Sequence, residues 1–382
     1  MSESPPSLAL IAIRQVEKST GASRNALEQT SALIALGYRV VIIAERGRAD
    51  LVERAGAQLV LTRRWPFKGP FRRFWFNRRV QAWARRHRPA LLVSHGDVET
   101  PDVVYLHNCV HLANQAIYGR PLPTGHEVAA IHDHVLGGRR FRRVAVNSRL
   151  MAHDLASRYG IDESAIEISY PGYDPAQFNP QRARPRREQQ RLALGVGDDE
   201  WLIGLVTSGN FRKRNVAGLV RMAAGIEHRL PGRCRFLVVG RDDPAPYQRQ
   251  AVSLNVAERF IWRSTIDDVE SLYGALDLFV LPAHIEEFGR VALEAMACAT
   301  PVLLSSSVGS AEVLEGRHAE LILKADDDAG WVERIVELLG DAPRREEIGM
   351  ALAHRVTDWS HERQRNRLMA SFESLQASKE SS

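Results

Sequence analysis

No apolar stretch in the 382 residues approaches the roughly 20 needed to carry a helix across a bilayer, so a spanning helix is not expected. Cysteine is scarce: Cys109, Cys234 and Cys298 are odd in number, widely separated and without metal-ligand spacing. That argues against a disulfide framework or a cysteine-bound metal, and a reducing cytoplasm fits best. No G-x-G-x-x-G follows the first strand of either half, which leaves a dinucleotide dehydrogenase without its phosphate loop. The one literal Asp-x-Asp lies in "KADDDAGWVERI", where the aspartates directly precede a helical pattern and read as N-caps, so no metal is expected. Acidic residues are missing between Glu53 and Asp97. The opening "MSESPPSLALIAIR" lacks the basic start of a signal peptide and reads as a first strand.

What is present is enough chain for two cores, with the composition of a soluble globular protein. The first half begins with an apolar strand "LALIAI", a loop "STGAS" around Gly21, a helical "RNALEQTSALIALG" and a strand "YRVVIIAE". That is a βαβ unit with Gly21 at the carboxyl end of a strand, where open α/β sheets bind ligands. Strands at "ALLVSH", "DVVYLH" and "RRVAVNS" follow. Around "YPGYDPAQFNPQRARPRREQQR" the composition shifts to Pro, Gly, Arg and Gln, as in an interdomain linker. A second alternation comes after it: "WLIGLVTSG", a helix from about Asn215, "CRFLVVG", "RFIWRS", "LYGALDLFVLP" and "TPVLLSS". The expectation is an α/β chain of two doubly wound domains facing across a cleft. Charge divides unevenly between them. Residues 1–170 hold 24 Lys and Arg against 15 Asp and Glu, the remainder 27 against 31, so an anionic partner is expected at the first half.

The stretch "HIEEFGRVALEAMACATPV" sets Glu286 in a glycine-containing loop and Glu294 on the first turns of the helix that follows. If the chain reverses at "EFG", both carboxylates face one small ligand, beside the backbone N–H groups of Gly289, Arg290 and Val291. Amides at a helix N-terminus suit a phosphate, and carboxylates suit sugar or ribose hydroxyls. A solvated acidic loop ahead of a core helix is the other reading of the same spacing.

These residues carry a resemblance. "EEFGRVALEAMACATPV" resembles the E-x7-E signature of the retaining glycosyltransferases of family 4. "LYGALDLFVLP" is similar to the family's Tyr-x-x-Ala-Asp strand, with Leu276 where alanine is usual, and the passage from Val144 to Pro180 is similar to its interdomain segment. The closest likeness is to bacterial lipopolysaccharide-core transferases. The resemblance implies the GT-B fold with two Rossmann-like domains. Residues 1–172 would bind the acceptor, 173–195 link, 196–355 bind the nucleotide sugar, and 356–382 form a helix crossing back, with a polar tail. It implies that Glu286 holds donor-sugar hydroxyls, that Glu294 contacts the ribose, and that the turn at Phe288, Gly289 and Arg290 meets the diphosphate and sugar. Ala299 stands where glycine is common, a change expected to be tolerated.

The same resemblance covers "TSGNFRKRNVAGLV", a glycine-led loop with Gly209 and Asn210, where Lys213 and Arg214 are assigned to the diphosphate. Arg214-Asn215 replaces the family's Lys-Gly, and Asn210 replaces a common arginine. Such cations neutralise charge that develops on the leaving nucleoside diphosphate. A solvated basic turn is the alternative. His107, which ends "DVVYLH" directly after a strand, matches a family histidine lining the donor-sugar site, with His95 and His111 as rivals. "IHDHV" looks like a metal pair but shows no third ligand and reads as a surface turn.

The acid-free segment "RRWPFKGPFRRFWFNRRVQAWARRHRP" spaces Phe76, Val80 and Trp83 for inward packing. Trp65, Phe67, Phe71, Phe74 and Trp75 exceed what that stripe needs. Aromatics beside arginines suit an anionic membrane interface, with Arg72, Arg73, Arg78 and Arg79 taken as facing it; an ordinary helix with a basic face is the alternative, and no nucleic-acid motif accompanies the charge. The expected protein is a retaining, metal-independent hexosyltransferase. It would use a nucleotide-diphosphate sugar, best a UDP-sugar, and a lipid-linked saccharide such as lipopolysaccharide core. It would work in the cytoplasm, peripheral to the inner membrane. A GDP-mannose mannosyltransferase and a GT-B nucleotide-sugar epimerase are the alternatives.

Overall fold

The structure, a computed structural model, describes residues 6–17, 21–266 and 268–380. Ser19 and Thr20 of the loop before Gly21, the first five residues and the last two of the polar tail lie outside the described residues. The chain divides into two compact units, Met1–Pro171 with His361–Ser382, and Gly172–Ser360.

The first unit contains β1 (Leu8–Ala12), β2 (Gln15–Val16), β3 (Arg39–Ala44), β4 (Arg46–Gly47), β5 (Gln58–Leu61), β6 (Leu91–Ser94), β7 (Val103–Tyr105), β8 (Arg143–Val146) and β9 (Ile166–Ile168). Seven of these form a parallel sheet in the order β5-β3-β1-β6-β7-β8-β9, and β2 pairs with β4. Leu10, Ile11, Ile42, Ile43, Val93 and Val104 are buried, as strands covered by helices on both faces require. The chain reverses direction across the sheet between β1 and β6, which opens a crevice at their carboxyl ends. Helix Gly21–Ala35 covers one face, and the C-terminal helix His361–Glu380 joins it there, adding Leu368, Phe372 and Leu375 to the core. Polar ties reinforce that packing: Tyr38 Oη donates to Gln376 Oε1 at 2.9 Å, and Arg143 Nη1 to Ser371 Oγ at 3.0 Å.

The second unit contains β10 (Trp201–Val206), β11 (Cys234–Val239), β12 (Phe260–Arg263), β13 (Leu278–Leu281), β14 (Val302–Ser305) and β15 (Ile322–Leu323). They form a parallel sheet in the order β12-β11-β10-β13-β14-β15, reversing between β10 and β13. The unusual Leu276 finds room because Gly204 in β10 has no side chain; a β-carbon there would lie 2.6 Å from both Leu276 Cδ atoms. Residues 173–195, linker-like in composition, fold onto this unit and include helix Arg187–Leu194. Asp277 anchors them, accepting from Arg187, from Arg191 at 3.0 Å and from the Leu202 amide at 2.7 Å.

Two expectations need correction. "IHDHV" is no turn: it lies within helix Glu127–Gly138, where Ile131, His132, Val135 and Leu136 are buried at helical spacing. His132 and His134, two apart on a helix, do not face a common ligand. Arg72 and Arg73 are drawn inward by acidic partners rather than turned to a surface. Asp327, by contrast, is the N-cap its sequence indicated, accepting from the Gly330 amide at 3.0 Å.

Candidate active site

In the second unit the loops leaving β10 and β13, the pair flanking the reversal, are tied together. The His284 amide donates to the Lys213 carbonyl at 3.0 Å. Lys213 forms an ion pair with Glu287, and Arg214 with Glu286, all four side chains being largely buried. The loop after β10 owes its shape to two asparagines in left-handed conformation, Asn210 (φ 58°) and Asn215 (φ 55°). Asparagine tolerates that region because its short polar side chain bonds locally. Asn210 Oδ1 accepts from the Lys213 amide at 3.1 Å, and Asn215 Oδ1 caps helix Val216–Arg229 through the Gly218 amide at 3.0 Å. The Arg-Asn pair therefore keeps the turn that Lys-Gly would make.

The second loop is pinned by main-chain bonds. The Glu286 amide donates to Ser307 O at 2.9 Å, the Gly309 amide to Glu286 O at 2.9 Å, and the Ser310 amide to Phe288 O at 2.7 Å. Gly289 (φ 87°) turns the chain into helix Arg290–Ala297. A side chain there would crowd Glu286 Cγ and Val308 at 3.2 Å and Ser310 Oγ at 3.3 Å. The first turn of this helix starts beside Glu286, with the Ala292 amide donating to Gly289 O at 3.0 Å. Glu294, one turn along, accepts from Tyr273 Oη at 3.3 Å and is buried. Burial pushes the Glu286 carboxyl above the ordinary range, while Arg214 and Lys213 pull against it. Gly209, Asn210, Lys213, Arg214, Glu286, Phe288, Gly289, Arg290, Val291 and Glu294 are thus gathered at the carboxyl end of one sheet.

In the first unit, Gly21 opens the helix after β1, and His107 follows β7. His107 and His95 are partners rather than rivals. His95 Nδ1 and His107 Nε2 lie 2.7 Å apart, with Gln29 Oε1 2.9 Å from His95 Nε2 and Asn25 Nδ2 3.2 Å from His107 Nδ1. Each ring needs one proton to complete that chain: Asn25 donates to His107, His107 to His95, and His95 to Gln29. Burial holds His95 well below its ordinary value, so it stays neutral. His111 is turned onto Asp133, 2.9 Å away. A cavity of about 380 Å³ lies beside the pair, at the carboxyl ends of β1, β6 and β7.

Among the described residues, no group of three or more His, Cys, Asp or Glu is arranged to hold a metal. No described helix is long and apolar enough to cross a membrane.

Residues 19–177 match the family described as Glycosyltransferase Family 4, and residues 203–341 that described as Glycosyl transferases group 1. The chain thus carries a glycosyltransferase family 4 domain followed by a glycosyl transferases group 1 domain. Its fold is GT-B. Among curated relatives, the D-inositol 3-phosphate glycosyltransferase of Salinispora arenicola is 31% identical over 236 residues, 58% of this chain and 52% of that protein. The enzyme of the same description from Nocardia farcinica is 32% identical over 232 residues, 57% and 50% of the two chains. This chain thus spans about half the length of the curated relatives it matches. Among solved structures, WaaG, a glycosyltransferase involved in lipopolysaccharide biosynthesis, superposes with a TM-score of 0.79 at 19% identity, over 94% of this chain and 98% of that one. Anabaena Alr3699/HepE in complex with UDP-glucose superposes with a TM-score of 0.75 at 16% identity, over 96% and 100%.

The sequence pattern did not single out Glu287, Asp242 or Glu127. Glu287 pairs with Lys213, and Asp242 Oδ2 fixes the Phe211 amide at 2.7 Å from the loop after β11. Glu287 follows the motif glutamate directly, so the doubled "EE" was the available signal. Asp242 and Glu127 carry none, because their partners lie 31 to 113 residues away in sequence.

Proposed function

We propose that this glycosyltransferase is retaining and metal-independent, and that it moves a hexose from a UDP-sugar to a lipid-linked saccharide such as lipopolysaccharide core. One observation carries the reading: two cations, two carboxylates and a helix N-terminus converge where the loops after β10 and β13 meet. A nucleotide sugar presents matching chemistry, a diphosphate for Lys213, Arg214 and the Gly289–Val291 amides, and hydroxyls for Glu286 and Glu294. On donor binding the diphosphate takes Arg214, which releases Glu286 to accept from the sugar. As the glycosidic bond breaks, negative charge grows on the diphosphate beside fixed cations, so they stabilise the transition state more than the bound donor. The acceptor hydroxyl attacks the anomeric carbon from the face the diphosphate leaves, and its proton passes to the leaving oxygen. The cations do the work a metal would do elsewhere.

UDP is favoured because HepE, similar in fold, is described in complex with UDP-glucose, and a lipid-linked acceptor because WaaG is described as acting in lipopolysaccharide biosynthesis. The exposed segment around Trp65 supports work at a membrane surface. Trp65 packs against Phe71 at 4.6 Å, Trp75 at 5.4 Å and Phe67 at 5.9 Å, with Phe67 and Phe71 largely exposed among Arg63, Arg64 and Lys68. The test is a donor screen that follows nucleotide release from UDP- and GDP-sugars with and without EDTA. Release from one UDP-hexose, unaffected by EDTA, is expected. Release from GDP-mannose alone, or loss with EDTA restored by magnesium, overturns the donor or the metal reading respectively.

A further inference from the structure

The cavity beside His95 and His107 belongs to the first unit alone, and its wall is charged. Arg14, Arg72, Arg73 and Asp97 line it. Arg14 holds Glu45 through Nε at 2.9 Å and Nη2 at 2.7 Å, and reaches Glu127 Oε1 at 3.4 Å. Arg72 and Arg73 also bond Glu127 Oε1, Arg73 through Nε at 3.2 Å, and Arg73 forms a second pair with Asp97. Three guanidinium groups thus meet three carboxylates: Glu45, Glu127 and Asp97. His132, on the same wall, is pushed down to about 4 by burial and stays neutral near pH 7. Among the described residues lining the cavity, no lysine or arginine lacks a carboxylate partner.

Such a wall treats two kinds of ligand very differently. A phosphate or carboxylate entering it must either face a charge-balanced wall or displace Glu127 or Asp97 from arginine. Displacement strips a partly or largely buried carboxylate of a guanidinium partner, which is unfavourable. A hydroxyl both donates and accepts, so a polyol can bond guanidinium and carboxylate edges at once without breaking a pair. The volume, near the lower end of the roughly 300–1,000 Å³ of ligand pockets, suits one sugar ring.

We propose that this cavity receives an uncharged, hydroxyl-rich ring of the acceptor and discriminates against a phosphorylated one. This rests on the transferase reading above and narrows it: the acceptor differs in charge from the D-inositol 3-phosphate in the description of its curated relatives. Arg72 and Arg73, from the helix of the aromatic segment, serve as part of the acceptor wall.

The test uses the full chain with 15N-labelled histidine. The ring resonances of His95 and His107 are followed while glucose, galactose, mannose and myo-inositol are compared with glucose 6-phosphate and D-inositol 3-phosphate. At least one uncharged probe is expected to shift both rings, and the phosphorylated probes to need at least about tenfold higher concentration. Asp97→Asn and Glu127→Gln each remove one carboxylate, and each should shift the preference toward the phosphorylated probe by about tenfold or more. If Glu127→Gln does not fold, Asp97→Asn carries the comparison. Wild-type preference for a phosphorylated probe overturns the proposal, as does silence of both rings toward every uncharged probe. Donor hydrolysis is measured on the same preparation. Hydrolysis with silent histidines sinks this inference alone, whereas shifted histidines with no sugar nucleotide hydrolysed sink the transferase reading alone.

Discussion

Lys213 and Glu287 form a buried ion pair between the loops that leave β10 and β13, so the cation assigned to the diphosphate is held in place by a carboxylate of the opposite loop. Structure and catalysis can be separated here. Lys213→Met takes the cation from the largely buried Glu287 and should cost about 3 kcal/mol of stability. Adding Glu287→Met replaces the pair with apolar side chains and should recover most of that loss. Turnover should not recover, because one cation facing the leaving group is gone, and a loss of about 100-fold is expected in both variants. Urea unfolding and initial rates on the two proteins check this. Recovery of turnover in the double variant would make the pair purely structural.

A pH dependence follows from His132. Its ordinary value of 6.5 falls to about 4 in the folded chain, mainly through burial. Between those values the unfolded chain binds a proton that the folded one does not. Stability is therefore full above 6.5 and declines as pH drops toward 4, by roughly 3 kcal/mol at the lower end. His95 acts in the same sense. Thermal melts from pH 7 to pH 4 should show a falling midpoint, and His132→Gln should flatten the slope. An unchanged slope in that variant would remove His132 as its source.

Ala299 adopts φ 58°, the left-handed region in which a β-carbon is strained by about 1–2 kcal/mol. It cannot relax easily, since its carbonyl oxygen lies 2.2 Å from where a β-carbon on Gly349 would stand. Ala299→Gly removes the strain, offset in part by the freer unfolded glycine, and should raise stability by about 0.5 kcal/mol. Ala299→Val, adding a branched side chain, should lose about 2 kcal/mol or more. Denaturant midpoints decide it. A destabilised glycine variant would mean that the lost methyl matters more than the strain.

Parts of the fold were legible in the sequence for a physical reason. β1, β3, β6, β10, β11 and β13 are buried on both faces and read as continuous apolar runs. β5, β9 and β15 lie at sheet edges, are only partly buried, and leave no such run, so "QLVL", "IEI" and "IL" gave no strand signal. The loop residues of the second unit were legible because they are close in sequence, from Gly209 to Arg214 and from Glu286 to Glu294. The first-unit cavity was not. Arg14, Arg73, Asp97 and Glu127 meet only through tertiary folding, and a run of arginines says nothing about which of them turn inward.

That last distinction decides the membrane experiment. Arg63, Arg64, Lys68, Arg78 and Arg79 are exposed, whereas Arg72 and Arg73 are spent on Glu127 and Asp97. If the segment docks on lipid, the protein should sediment with vesicles containing anionic lipid and leave neutral ones. Each basic residue near such a surface contributes on the order of 1 kcal/mol, so replacing the five exposed cations by Gln should abolish binding. Raising salt should weaken the wild type in the same direction, because the attraction is screened within about 10 Å at 0.1 M. Arg72→Gln with Arg73→Gln should do the opposite: vesicle binding persists, while stability falls as Glu127 and Asp97 lose partners in a buried place. Phe67→Ser with Phe71→Ser should remove the salt-resistant remainder, since those exposed rings supply the apolar contact. Equal binding to neutral and anionic vesicles would discard the electrostatic part, and loss of binding in the Arg72 and Arg73 variant without loss of stability would mean that those two arginines face the lipid after all.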